Sequence, residues 1–140
     1  MKRLCVGSIG LSLVCLSAAC GSKSNDVTGP GNTAVVDVNG ITAGAENLPA
    51  FTRYTVDFNL IERGGVAIVV DTFRLDFGAA GFCTYAPSDV IGSNRIVARA
   101  NRYAHLTCNG RAGVTSTTVS IPWNDDNGHH GVATATATIR

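Results

Sequence analysis

Charge is scarce in this sequence and nearly balanced in sign. Only 15% of the 140 residues are charged, and eleven basic residues stand against ten acidic ones, for a formal net charge of +1. Proteins that bind nucleic acids or anionic membrane surfaces electrostatically carry an excess of basic residues, which this chain lacks. The composition therefore predicts no nucleic-acid partner.

Sustained helical periodicity and catalytic motifs are also missing beyond the N-terminal segment. The three histidines, His105, His129 and His130, have no serine or cysteine nucleophile at a recognisable spacing. Residues 124–128 collect oxygen ligands, but an EF-type calcium loop also needs a distal glutamate, so Asp-Asn-Gly here indicates a hairpin turn. The sequence therefore predicts a non-enzymatic protein with no catalytic residues, no metal site and no cofactor.

The N-terminus has the three parts of a secretory signal. Lys2 and Arg3 form a basic head, residues 4–19 carry no charge, and small residues lead to Cys20. A membrane-spanning helix needs roughly 20 predominantly apolar residues, and this run is shorter and interrupted by glycine and serine. The segment is therefore predicted to direct export and to be removed.

Residues 16–20, Leu-Ser-Ala-Ala-Cys, resemble the lipobox of bacterial lipoproteins. The resemblance implies cleavage before Cys20 and lipid on its thiol, and Gly21 in place of aspartate implies release to the outer membrane in a host with two membranes. Ser17 stands where the family more often has leucine, so ordinary signal cleavage at the same site is the alternative. Several acyl chains anchor a protein stably, since each buried methylene contributes about 0.8 kcal/mol.

These features divide the chain into three parts. Residues 1–19 are predicted to be a signal peptide, 20–33 the lipidated cysteine with a flexible tether, and 34–140 a globular domain. The tether is rich in glycine, serine and asparagine, as flexible linkers are. The expected location is the bacterial cell envelope, on the periplasmic or surface face of the outer membrane.

Two cysteines remain in the predicted domain, Cys83 and Cys108. An even pair in an exported protein is most simply a disulfide. Closing that loop would stabilise the fold by roughly 3 kcal/mol in the chain-entropy model. The alternative is two free buried thiols.

Short apolar and polar alternations predict strands throughout the domain. The run Thr52–Glu62 places Tyr54, Val56, Phe58 and Leu60 on one face. The acidic side chains of these strands are predicted to be solvated, with weak pairs to Arg53 and Arg74. They are Asp57, Glu62, Asp71 and Asp76.

Three further features of the strand pattern give specific expectations. Gly64-Gly65 predicts a hairpin turn. The apolar phase of residues 66–77 changes at Asp71-Thr72, which predicts a β-bulge or bend. Residues 95–103 alternate as one strand, with alanines and an isoleucine facing inward.

Six or seven short strands without helices predict an immunoglobulin-like β-sandwich of antiparallel strands, with a small β-barrel as the alternative. Residues 119–139, two strands joined by an Asp-Asn-Gly turn, resemble the final hairpin of bacterial immunoglobulin-like domains. That resemblance implies a fold and transfers no function.

The candidate binding residues are arginines and their neighbours in the second half of the chain. Arginine and tyrosine are favoured at binding hot spots, and a shared rim of them could meet an acidic partner or a glycan. The alternative is an ordinary solvated strand edge, whose charges discourage aggregation. The candidates are Arg95, Arg99, Arg102, Tyr103, His105 and Arg111.

The function predicted from the sequence is that of a lipid-anchored structural or protein-interaction module. Its expected partners are the membrane, through the lipid, and a protein or glycan. The alternative function is a small carbohydrate-binding or adhesion module that uses exposed aromatic residues such as Tyr85 or Tyr103.

Overall fold

The computed structural model describes residues 32–140, so the predicted signal, Cys20 and most of the tether lie outside the described residues. Within this range the chain forms nine strands, one short α-helix and a 3₁₀ turn. The strands are β1 (Val36–Asn47), β2 (Thr52–Glu62), β3 (Ile68–Val70), β4 (Phe73–Asp76), β5 (Phe82–Tyr85), β6 (Arg95–Ile96), β7 (Asn101–Gly110), β8 (Ser116–Asp125) and β9 (His130–Thr138). The 3₁₀ turn is Gly78–Ala80 and helix α1 is Pro87–Ile91.

The strands form two sheets. The first sheet has the order β1-β2-β7. In the second sheet β8 is central: it pairs with β3 and β4 on one side and with β9 on the other, while β5 pairs with β4 and β6 with β3. Every paired ladder is antiparallel. The predicted all-β fold of antiparallel strands is confirmed, although the structure has nine strands where six or seven were predicted and adds one short helix.

The core lies between the sheets and is built from the inward phase of each long strand. The predicted inward face of β2 is confirmed, since Tyr54, Val56, Phe58 and Leu60 are all buried. The ring of Phe58 lies 6.1 Å from that of Phe73 in the second sheet, centroid to centroid. Burial of a large apolar side chain contributes about 1.5–3 kcal/mol, so these alternating positions supply most of the drive to fold. The other large buried side chains include Ile68, Leu75, Ile96, Leu106 and Ile121.

The predicted irregularity at residues 71–72 is also confirmed. Val70 lies opposite Trp123 on β8, whereas Arg74 lies opposite Ser120. Between these pairs the segment that joins β3 to β4 holds one residue more than the facing part of β8. Such an extra residue on one side of a ladder defines a β-bulge. Both halves therefore turn their apolar side chains towards the core although the sequence changes phase.

The bulge lies opposite Pro122, in the middle of the central strand. The backbone N–H of Asp71 donates to the carbonyl of Pro122 at 3.0 Å. The N–H and C=O of a strand residue point to the same side of the strand. The nitrogen of Pro122, which has no hydrogen to donate, therefore faces the bulge as its carbonyl does. Proline is otherwise confined to edge strands because it removes a ladder hydrogen bond. The bulge thus accommodates proline inside the sheet.

The predicted hairpin at Gly64-Gly65 is wrong. β2 pairs with β1 and β7, and the chain crosses here from the first sheet to the second. A side chain on Gly64 would place its Cβ 2.5 Å from the carbonyl oxygen of Thr33 and 2.7 Å from the backbone nitrogen of Val35. Glycine is required here by a close approach of two backbones, not by a turn between paired strands.

The predicted strand at residues 95–103 is likewise wrong. β6 ends at Ile96, and the backbone N–H of Ala100 donates to the carbonyl of Val97 in a turn. Arg99 takes a positive φ of 60°, which is incompatible with a continuous strand. β7 begins at Asn101, and the alternation of small residues before it marks a loop.

The predicted disulfide between Cys83 and Cys108 is confirmed. Their Cα atoms are 6.2 Å apart. Cys83 lies on β5 in the second sheet and Cys108 on β7 in the first, so the bond joins the sheets across one edge of the sandwich. The hydroxyl of Tyr85 adds a second link, donating to the carbonyl of Thr107 at 2.9 Å.

Candidate functional site

The outward surface of the first sheet carries a row of polar side chains that we call the polar face. Successive residues of a strand point to opposite sides, so burying Val56, Phe58 and Ala104 directs their neighbours outward. The register of β2 and β7 then sets these neighbours side by side across the sheet. The polar face comprises Thr42, Thr55, Asp57, Asn59, Tyr103, His105 and Thr107.

Asp57 lies at the centre of this face and receives two hydrogen bonds on one oxygen. The hydroxyl of Tyr103 donates to its Oδ1. The Nδ1 atom of His105, its partner across the ladder, lies 2.7 Å from the same oxygen. On the far side of the ring, Nε2 lies 3.3 Å from the Oγ1 of Thr107. Four side chains are therefore joined in one network.

The network changes the acidity of two of its members. The hydrogen bond from Tyr103, assisted by the bond and charge of His105, holds the pKa of Asp57 below its ordinary value even though partial burial acts the other way. The same hydrogen bond, with some desolvation, raises the pKa of Tyr103. At neutral pH the network therefore contains an ionised carboxylate and a protonated phenol.

Replacing Tyr103 with phenylalanine is expected to raise the pKa of Asp57, because the largest contribution to its depression is removed. A depressed carboxylate pKa stabilises the fold above the unfolded-state pKa, and this stability is lost as the pH falls through the folded-state pKa. The stability of the variant should therefore depend less on pH in the acid range in which Asp57 titrates. Carboxyl chemical shifts from an NMR titration measure the change, and an unaltered Asp57 titration would contradict it.

The predicted arginine candidates lie on different elements of the fold. Arg95 lies on the second sheet and forms an ion pair with Asp126 in the β8–β9 turn, with its Nη1 at 2.9 Å from Oδ1. Arg102 and Arg111 are separated by almost the full length of β7, about 30 Å for an extended strand. Arg102 also points to the side of the strand opposite Tyr103.

The remaining two arginines are tied into the fold through their backbones. The N–H of Arg99 donates to Oε2 of Glu62 at 2.7 Å. The carbonyl of Arg111 accepts a hydrogen bond from the buried Tyr54 hydroxyl. Among the candidates, Tyr103 and His105 share the polar face, where both contact Asp57.

The other two histidines lie near the β8–β9 turn, which forms as predicted. His129 Nδ1 is 3.0 Å from Oδ2 of the buried Asp125, and His130 is exposed. Across residues 32–140, no three His, Cys, Asp or Glu side chains are grouped so as to hold a metal ion. In the same range, no helix is both long and apolar enough to cross a bilayer.

The order carboxylate, imidazole, hydroxyl in Asp57, His105 and Thr107 is also the order found in nucleophilic hydrolase sites. Such sites further need donors that stabilise an oxyanion in a water-excluding pocket. His105 and Thr107 are exposed on the outer surface of the sheet. The charged group beside them, the Asp57 carboxylate, accepts hydrogen bonds and so cannot serve as a donor to an oxyanion. The absence of catalysis stays a prediction.

No protein family model matches the sequence, and no curated protein is significantly similar to it.

Proposed function

We propose that the protein is exported and anchored by lipid at Cys20 to the bacterial cell envelope, where its sandwich domain acts as a structural or binding module without catalysis. The observation that carries the export part is the Cys83–Cys108 disulfide. Disulfides persist in oxidising compartments outside the cytoplasm and are rare within it. This supports the destination implied by the signal-like residues 1–19.

The way in which the domain begins supports the tethering part. The backbone N–H of Ala34 donates to Oδ2 of Asp125 at 3.0 Å, and that of Val35 donates to Oε1 of Glu62 at 3.3 Å. Both acids are buried. The first two residues after the predicted tether are therefore fixed to the domain, as the proposed attachment through residues 20–33 requires.

Metabolic labelling with a fatty-acid analogue tests the anchor. Wild-type protein is expected to incorporate the label, and Cys20→Ser is expected to incorporate none because the acceptor thiol is gone. Cys15→Ser is the matched control, since it removes a cysteine from the predicted signal while keeping the lipobox intact. Unlabelled wild-type protein, or equal labelling after Cys20→Ser, would overturn the proposal.

A further inference from the structure

We infer that the polar face binds a neutral saccharide, with the ring of Tyr103 as its stacking platform and Asp57 and Asn59 as its hydrogen-bonding groups. The inference rests on the proposed function to the extent that an envelope-anchored domain is placed among polysaccharides. The residues of this site come from two strands, β2 and β7, and are brought together by the register of the sheet.

Tyr103 provides an exposed aromatic surface that is held in place. The residue is 61% exposed, yet its hydroxyl is fixed by the hydrogen bond to Asp57. A tyrosine has few rotatable bonds, and tethering it removes part of the ordering cost that binding would otherwise impose. The apolar face of a sugar ring stacks on such a platform while its hydroxyls stay free at the rim.

Two other aromatic side chains of the domain surface, Phe82 and Tyr85, are less available. The ring of Phe82 is exposed, but the guanidinium of Arg74 lies 3.9 Å above its centroid. Tyr85 is partly buried, and its hydroxyl donates a hydrogen bond to the carbonyl of Thr107. Of the two aromatic residues considered from the sequence, the structure favours Tyr103.

Hydrogen-bonding groups suited to sugar hydroxyls surround the ring. Asn59 lies directly opposite Tyr103 in the ladder and offers both a donor and an acceptor. Asp57 uses only Oδ1 in the network, and among residues 32–140 no group donates to its Oδ2. Neighbouring strands are about 5 Å apart and residues two positions apart about 7 Å, so one pyranose ring on Tyr103 reaches both side chains.

Charge on the polar face favours a neutral ligand over an anionic one. Its central charge is the Asp57 carboxylate, which repels phosphate, sulfate and uronic acids. Two arginines beside the outward side of the first sheet are already paired: Arg63 Nε lies 2.9 Å from Asp37, and Arg53 Nη1 lies 3.5 Å from Glu46. The ligand class that fits is an uncharged polyol with one apolar ring face.

A glycan array probed with the full processed protein in detergent tests the inference. The slides carry neutral glucan, mannan and galactan oligosaccharides beside sulfated and sialylated ones, and titration calorimetry follows with the best neutral ligand. We expect neutral glycans to bind. Tyr103→Ala should weaken binding about tenfold, and Tyr103→Phe, which keeps the ring but frees it from Asp57, roughly threefold.

Phe82→Ala is the matched control because it removes an exposed aromatic side chain from the other sheet, and its affinity should stay unchanged. Three results would overturn the inference: no neutral glycan bound by folded protein, a preference for anionic glycans, or an equal loss in Phe82→Ala. Circular dichroism establishes that each variant is folded. Protein that is labelled at Cys20 but binds no glycan refutes the saccharide site alone, and the reverse result refutes the anchor alone.

Discussion

Replacing Glu62 with glutamine is expected to lower the free energy of unfolding by about 2–4 kcal/mol. The residue is only 1% exposed, and its carboxylate accepts hydrogen bonds from three backbone N–H groups. Oε1 serves Val35, while Oε2 serves Gly65 and Arg99. An amide group in place of either oxygen would turn its own N–H towards a donor and leave at least one backbone N–H without an acceptor.

The three donors come from three separate parts of the chain, which is why the effect should be large. They belong to the start of the domain, to the crossing between the sheets and to the turn before β7. None of the three donor residues lies within a strand, so the carboxylate supplies acceptors that the ladders do not provide. Loss of one bond should loosen all three segments together.

Urea denaturation of the purified chain, followed by circular dichroism, measures the change. Glu46→Gln is the matched control: its side chain is 62% exposed and forms only a surface ion pair, so it should shift stability by less than about 1 kcal/mol. Equal unfolding midpoints for Glu62→Gln and wild type would show that the carboxylate does not hold these segments.

Glu62 also shows where reasoning from the sequence falls short. The alternation of β2 places position 62 in the inward phase with Tyr54 and Leu60, but its charge argues for solvent. The carboxylate of Glu62 is buried because three backbone N–H groups, from residues 3, 27 and 37 positions away in sequence, donate to it. Such partners come together only when the whole fold is formed, so the prediction of a solvated charge at this position is wrong.

Local patterns predicted local structure well. The inward face of β2, the bulge at residues 71–72 and the Asp-Asn-Gly turn each depend on neighbours within a few positions, and all three are present. Gly64-Gly65 was misassigned because glycine permits a hairpin and a sheet crossing equally. Which strand pairs with which is a non-local property that short-range alternation does not contain.

The polar face was predictable only in part, for the same reason. Tyr103 and His105 are two positions apart on one strand, so a shared face follows from period two. Their partner Asp57 is 46 and 48 positions away in sequence. Its place between them depends on the register of β2 against β7, which no single-strand pattern specifies.

Removing the disulfide in a Cys83→Ser, Cys108→Ser double variant is expected to lower the free energy of unfolding by roughly 3 kcal/mol. The bond closes a loop with a sequence separation of 25 that contains helix α1, β6 and most of β5 and β7. In the chain-entropy model the open chain gains freedom mainly in the unfolded state. Native contacts, including the bond from Tyr85 to Thr107, should therefore persist in the variant.

Urea titrations of the oxidised protein, the reduced protein and the double variant measure this loss, and the last two should agree. Hydrogen exchange then separates global from local effects. The bond joins the short edge strand β5 to β7, so β5 and α1 should lose protection beyond the global change, whereas β2 should follow the global change alone. Equal stability of the oxidised and reduced protein would show that sheet packing alone fixes this edge of the sandwich, and the disulfide would then report the compartment without stabilising the fold.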